Sequence, residues 1–103
     1  MITVITNVID FYDLLDDHTI VIIYVFAEWS SSCKKINNHY LALSNDVKYK
    51  DILFLKVNTS YASNIFIYPL SIPSFIIFKN KVKIDEYNGY KESELDLFLN
   101  KYI

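Results

Sequence analysis

Two apolar runs constrain this chain more than anything else in it. "TIVIIYVF" (19–26) is largely β-branched and uncharged, and "ILFLKVN" (52–58) is a second run, apolar but for Lys56 and the closing Asn58. A strand wetted on one face alternates apolar and polar residues, whereas one that is apolar throughout is covered on both faces. The chain therefore has to put helices on both sides of a sheet. The stretches between the runs supply them. After a β-branched segment at Ile2–Ile5, Thr6 or Asn7 can cap a helix in which Val8, Phe11, Tyr12, Leu14 and Leu15 recur at helical spacing. The polar Asp16-Asp17-His18 ends that helix. A long helix is expected from the serine run at 30–32 to about Val47, and a short, weak one over 60–67. After Pro73, "SFIIFK" and "VKIDEY" flank Asn80-Lys81 and read as a hairpin. Gly89 breaks the chain before "ESELDLFLNKYI", an amphipathic helix with Leu95, Phe98, Leu99 and Tyr102 on one stripe.

The order β-α-β-α-β-α-β-β-α, with right-handed crossovers and a tight final turn, predicts an α/β fold. Its first three strands are parallel and its last pair antiparallel. The expectation is a central mixed five-stranded sheet flanked by four helices. Residues 1–103 form a single domain, without linker, repeat or low-complexity segment. The loop carrying Trp29 to Cys33 leaves the carboxyl end of a central strand, where open α/β sheets place their sites.

In that loop, "FAEWSSSCKK" (26–35) holds the only cysteine of the chain. A Cys-x-x-Cys here would read as a disulfide oxidoreductase motif; the four positions are instead Ser30, Ser31, Ser32 and Cys33. Serine is a preferred N-cap, so Ser30 has a structural reading as the first residue of the helix. Cys33 lies one turn inside. His39, six residues on, is about 240° further around the helix and does not activate the thiol. His18 belongs to the far end of the preceding strand. No metal site follows from one cysteine and two scattered histidines.

These residues together resemble the thioredoxin family across the whole chain. The resemblance rests on Phe26-Ala27-Glu28-Trp29 before the loop, Cys33 at the second cysteine position, and Ile72-Pro73-Ser74 at the cis-proline loop. Phe78-Lys79-Asn80 at the hairpin and Gly89 before the last helix complete it. It implies that Ser30 occupies the position of the family nucleophile and Cys33 that of the resolving cysteine. It also implies a peptide-facing groove made by Trp29, Ile72, Pro73 and Gly89. Three departures fall on the chemistry: Ser30 for the first cysteine, Tyr24 for a buried aspartate, and Asn38 for a helix-kinking proline.

The same pattern is similar to the amino-terminal thioredoxin-like domain of multidomain monothiol glutaredoxins, which keeps the Trp and the second cysteine and replaces the first. The Cys-Gly-Phe-Ser motif of the glutaredoxin domain itself is absent from these residues, so its iron–sulfur ligation is not carried over and no cofactor is expected. The implied function is a redox-inactive or monothiol module that binds a protein partner or an extended peptide, alone or within a larger glutaredoxin-like protein. The alternative is a dithiol thioredoxin whose first cysteine has been replaced by serine. As it stands the chain reads as a non-enzyme, and as a thiol-disulfide oxidoreductase if Ser30 is a replacement.

Charge and hydropathy exclude two further classes. All ten basic residues are Lys, dispersed along a chain of net charge −2, without the clustered basic face and Arg forks of a nucleic-acid binder. The longest apolar run, Ile20 to Ala27, is far short of the ~20 residues of a membrane span. With aspartates interrupting the first twenty residues and a lone thiol, the expected location is cytoplasmic.

Overall fold

The computed structural model describes residues 1–103. Strands β1 (Ile2–Val4), β2 (Ile20–Phe26), β3 (Ile52–Asn58), β4 (Ser74–Lys79) and β5 (Val82–Asn88) form one sheet in the order β1-β3-β2-β4-β5. β1 and β2 lie parallel to β3, while β4 runs antiparallel to both β2 and β5. Helices α1 (Val8–Asp17), α2 (Ser31–Ser44), the one-turn α3 (Thr59–Ala62) and α4 (Glu92–Asn100) complete it. This is the expected mixed five-stranded sheet with four helices.

β2 shows why its sequence is apolar at every position. Ile22 and Tyr24 point into a core shared with Ile36, Tyr40 and Leu43 of α2 and Leu95, Phe98 and Leu99 of α4. Val21, Ile23 and Val25 point the other way, against Phe11 and Leu15 of α1 and Ala62 of α3. Tyr40 is buried, and its hydroxyl donates to the Leu55 carbonyl at 2.6 Å, so no polar atom is orphaned. At the surface, His39 joins α2 to α4, with Nδ1 3.1 Å from Glu92 Oε1 and Nε2 2.7 Å from Asp96 Oδ1. The hairpin turns through Asn80 (φ 51°) and Lys81 (φ 71°), both left-handed as a two-residue turn between twisted strands requires. Lys81 is not favoured there, and its ammonium pairs with Asp16 at 2.9 Å.

Several expectations shift. α2 stops at Ser44, short of Val47, because the Asn45 N–H turns onto the Ala42 carbonyl at 3.2 Å and the Asp46 N–H onto the Leu43 carbonyl at 3.1 Å. The side chain of Asp46 then accepts from the Lys48 N–H and starts a separate 3-10 turn, Val47–Tyr49. The 60–67 helix divides into α3 and a 3-10 turn, Ser63–Ile65. α4 ends at Asn100, and Tyr102 beyond it hydrogen-bonds Asp85. Tyr12 lies off the buried stripe of α1. The tyrosines as a group are less internal than their number suggests: Tyr24, Tyr40 and Tyr49 are buried, but Tyr12, Tyr61, Tyr68 and Tyr90 are exposed.

Phe75 on β4 is a central ring of this core, touching three others, as do Tyr24 and Tyr40. It stacks on Tyr24 (centroids 4.8 Å, planes 8° apart) and on Tyr87 (6.0 Å, 21°), and meets Tyr40 at 5.5 Å. Phe75→Ala should cost about 3–5 kcal/mol, the range for a fully buried aromatic truncated in a packed core. A lowered urea midpoint at unchanged m-value, with the native circular dichroism retained in water, is the expected result.

Candidate functional site

Sheet register gathers the segments singled out in the sequence at one end of the molecule. Val25 of β2 pairs with Ser74 of β4, and Ser74 pairs with Asn88 of β5. The carboxyl end of β2, the start of β4 and the end of β5 are therefore neighbours. From them leave the Trp29–Cys33 loop, the Ile72–Pro73 loop and Gly89.

Ser30 is the N-cap of α2. Its backbone is extended (φ −82°, ψ 120°) and its Oγ accepts the Cys33 N–H at 3.2 Å, satisfying a donor the helix leaves free. Cys33 follows one turn in and is fully buried, the single free thiol of the chain. Trp29 is 79% exposed. The structure thus brings Ser30 and Cys33 into contact through a backbone donor and leaves the Trp29 indole in solvent.

Beneath the first turn of α2, Tyr24 stands where the resemblance implied a carboxylate. Its hydroxyl donates to Asn37 Oδ1 at 2.6 Å, with the Cys33 carbonyl oxygen 3.3 Å away as a second acceptor. Burial pushes the phenol far above its ordinary range, and the neighbouring Cys33 adds to the effect. The group is therefore protonated at neutral pH. It can donate a hydrogen bond toward the thiol's own residue but cannot accept a proton from it.

The Ile72–Pro73 peptide bond is cis. Pro73 and Ser74 are buried, and Ile72 packs against both cores. The loop is fastened from β5. Glu86 accepts from the Leu70 N–H at 3.2 Å, from Asn88 Nδ2 at 2.6 Å and from Lys83 Nζ at 2.7 Å. Asn88 Nδ2 also reaches Ser74 Oγ at 2.7 Å, and Ser74 in turn donates to the Ser71 carbonyl. Partial burial works to raise the Glu86 pKa, but the bonds from Asn88, Lys83 and Leu70 outweigh it and the carboxyl lies below its ordinary value. Gly89 has a packing reason: a Cβ there would come within 2.5 Å of the Tyr87 hydroxyl. That hydroxyl is held by Glu94 at 2.7 Å and by the Lys91 N–H at 3.3 Å.

Sequence reasoning found Ser30, Cys33, Trp29 and the proline loop but missed Asn37 and Glu86. Asn37 stands four residues after Cys33, the helical spacing that brings it level with whatever lies beneath the thiol, so a signal existed. His39, set aside in the sequence, does point away, toward α4. No three His, Cys, Asp or Glu side chains are placed to hold a metal ion, and no helix is long and apolar enough to cross a membrane.

A parallel β1-β3-β2 half joined to an antiparallel β4-β5 hairpin, with a cis proline opening β4 opposite the first turn of α2, defines a thioredoxin-fold protein. The model of the family described as Thioredoxin matches residues 2–101, and the chain belongs to that family. It is 29% identical to thioredoxin 1 of Plasmodium falciparum, over 99% of this chain and 98% of that one. A solved structure of Plasmodium falciparum thioredoxin superposes with a TM-score of 0.84 at 28% identity, covering 98% of this chain and 99% of that one. It is also 34% identical over 89 residues to a peptide-N(4)-(N-acetyl-beta-glucosaminyl)asparagine amidase of Caenorhabditis briggsae, of which it spans 14%.

Two measurements check this geometry. Ser30→Ala removes the cap oxygen and should destabilise the protein by about 1 kcal/mol. The Glu86 clamp gives a pH signature. Because the folded carboxyl titrates below its ordinary value of about 4.3, its contribution is complete above that pH. It is lost as pH falls through the folded value. Glu86→Gln should therefore be less stable than wild type at neutral pH, and the difference should shrink on acidification in urea titrations run at successive pH values.

Proposed function

We propose that this chain, as a single thioredoxin-like unit spanning residues 1–103, binds an extended segment of a protein partner and does not catalyse dithiol exchange. The observation that carries the reading is the state of the two positions where a thioredoxin pattern needs thiols. Exchange passes through a mixed disulfide that a second thiol of the same protein resolves. Here Ser30 caps a helix and Cys33 is the sole thiol, fully buried above a phenol that cannot take its proton. A hydroxyl forms no disulfide and is no nucleophile without an adjacent base. What the site retains is a recognition surface: the exposed Trp29 indole and a clamped proline loop, with Ile72, Pro73 and Gly89 at the same sheet end. In a cytoplasmic setting, such a unit serves as an interaction or targeting module. It does so alone or as the thioredoxin-like part of a larger glutaredoxin-like protein.

The alternative, a dithiol thioredoxin with serine substituted for its first cysteine, draws on one specific feature. Ser30 sits at the amino end of α2, where the helix dipole favours a thiolate. Chemistry separates the two. The protein should reduce insulin no faster than a protein-free blank with dithiothreitol as reductant. Cys33 should react with a thiol reagent far more slowly than glutathione until denaturant is added. Ser30→Cys should form a 30–33 disulfide yet turn over slowly at every pH tested. Ser30→Cys with Tyr24→Asp should be clearly faster per folded molecule, despite the lost stack. Full activity from Ser30→Cys alone would establish the alternative.

A further inference from the structure

Gly89 is the only glycine of the chain, and the residue before it is Asn88. An asparagine followed by glycine carries its own reagent. The next backbone nitrogen lies one ring closure from the side-chain carbonyl carbon, and glycine has no Cβ to hinder the approach. None of the other asparagines has that neighbour. The surroundings of Asn88 leave the reaction open. It ends β5, an edge strand with no partner on its outer side, and it is exposed to water. The Gly89 N–H donates to no backbone carbonyl, so no such bond has to break to free the attacking nitrogen.

We propose that Asn88–Gly89 is a self-modifying site, at which loss of ammonia turns the tie between β5 and the proline loop into a repulsion. The Gly89 nitrogen attacks Asn88 Cγ, the Cγ–Nδ2 bond breaks, and the Gly89 proton leaves with the departing nitrogen as ammonia. Water then opens the resulting succinimide ring at either of its carbonyl carbons. The product is aspartate, or isoaspartate with the backbone running through the side chain. In sum an amide and a water become a carboxylate and an ammonium ion, and nothing is oxidised or reduced.

What the conversion removes is specific to this position. Asn88 Nδ2 donates to Glu86 Oε2 at 2.6 Å and to Ser74 Oγ at 2.7 Å. It thereby joins the carboxylate that holds the Leu70 N–H to the serine that follows Pro73. An ionised carboxylate has no hydrogen to donate. It would set a second negative oxygen against Glu86, whose side chain is only 10% exposed and whose charge the Asn88 amide helps to hold. Like charges this close, little screened by water, do not both stay ionised in place. Lys83 is already paired with the other Glu86 oxygen. Glu86 therefore turns away, and the Leu70 N–H and Ser74 lose their partners. The modification rests on this chemistry alone and not on the reading of the Trp29 end as a peptide surface.

Ageing the intact protein in mildly alkaline buffer tests it. Cleavage after lysine isolates Ile84–Lys91, in which Asn88 is the single asparagine. The mass gain of amide-to-acid conversion should appear in that peptide before any other, divided chromatographically into aspartate and isoaspartate forms. Asn88→Gln, which has to close a larger ring, should show none over the same period. Amide exchange reads the consequence. The Leu70 N–H, protected in wild type, should lose its protection in the aged protein and in Asn88→Asp. Asn88→Ser, which removes the amide without adding a charge, should lose less. If Asn88→Asp does not fold, the aged wild type, separated from its parent by ion exchange through its added charge, supplies the same reading. The proposal is overturned by aged wild type whose 84–91 peptide keeps its mass or changes later than another asparagine, or by equal conversion in Asn88→Gln. It is overturned equally by a converted protein whose Leu70 amide stays as protected as before, or by Asn88→Ser losing as much protection as Asn88→Asp.

Discussion

The stack of Tyr24 on Phe75 is the contact on which the rest of this structure leans. The two residues are register partners across β2 and β4, so their rings are brought face to face by the ladder itself. From that pair a row of rings runs outward: Phase by phase it passes from Phe75 to Tyr87 on β5, then to Phe98 on α4 and Tyr102 beyond it, at spacings of 5.9–6.0 Å. Each such pair adds about 0.5–1.5 kcal/mol beyond the area it buries. On the other side, the Tyr24 hydroxyl reaches up to Asn37 and the Cys33 carbonyl, tying the first turns of α2 to the same row. One side chain thereby fixes a helix, the sheet centre and the route to the last helix.

The parts legible in the sequence were those set by a single local signal. β2 and β3 were readable because strands covered on both faces have no polar period to hide. The hairpin was readable from Asn80, and the start of α2 from a serine whose oxygen can do only one useful thing there. What escaped depended on geometry that no local pattern records. Lys83 and Glu86 stand three apart in a strand, which by a period of two puts them on opposite faces. A bulge at Ile77/Phe78 skips Ile84 and returns both to one face, where Glu86 can clamp the proline loop. The end of α2 escaped for a related reason. Asn45 and Asp46 are caps only once the helix has presented its free carbonyls to them. The exposed tyrosines escaped because composition counts rings without saying which have a neighbour.

The site also separates scaffold from chemistry. Register alone places the Trp29 loop, the proline loop and Gly89 at one sheet end, and that placement survives whatever occupies position 30. Gly89 is required by the Tyr87 ring next to it, which is anchored to α4 through Glu94, so even this position belongs to the packing as much as to the face.

The three departures from the family pattern share a direction. Serine is a better N-cap than cysteine, so Ser30 strengthens the start of α2. A tyrosine inside an aromatic stack costs less to bury than a carboxylate, which must be neutralised or paired. Asn38 keeps the backbone N–H that a proline would remove from the middle of α2. Each change is thus favourable or neutral for the fold. A catalytic site normally holds residues in arrangements that stability alone would not choose. In this chain the left-handed non-glycine residues lie away from that site: Phe66 after α3, and Asn80 and Lys81 in the turn between β4 and β5.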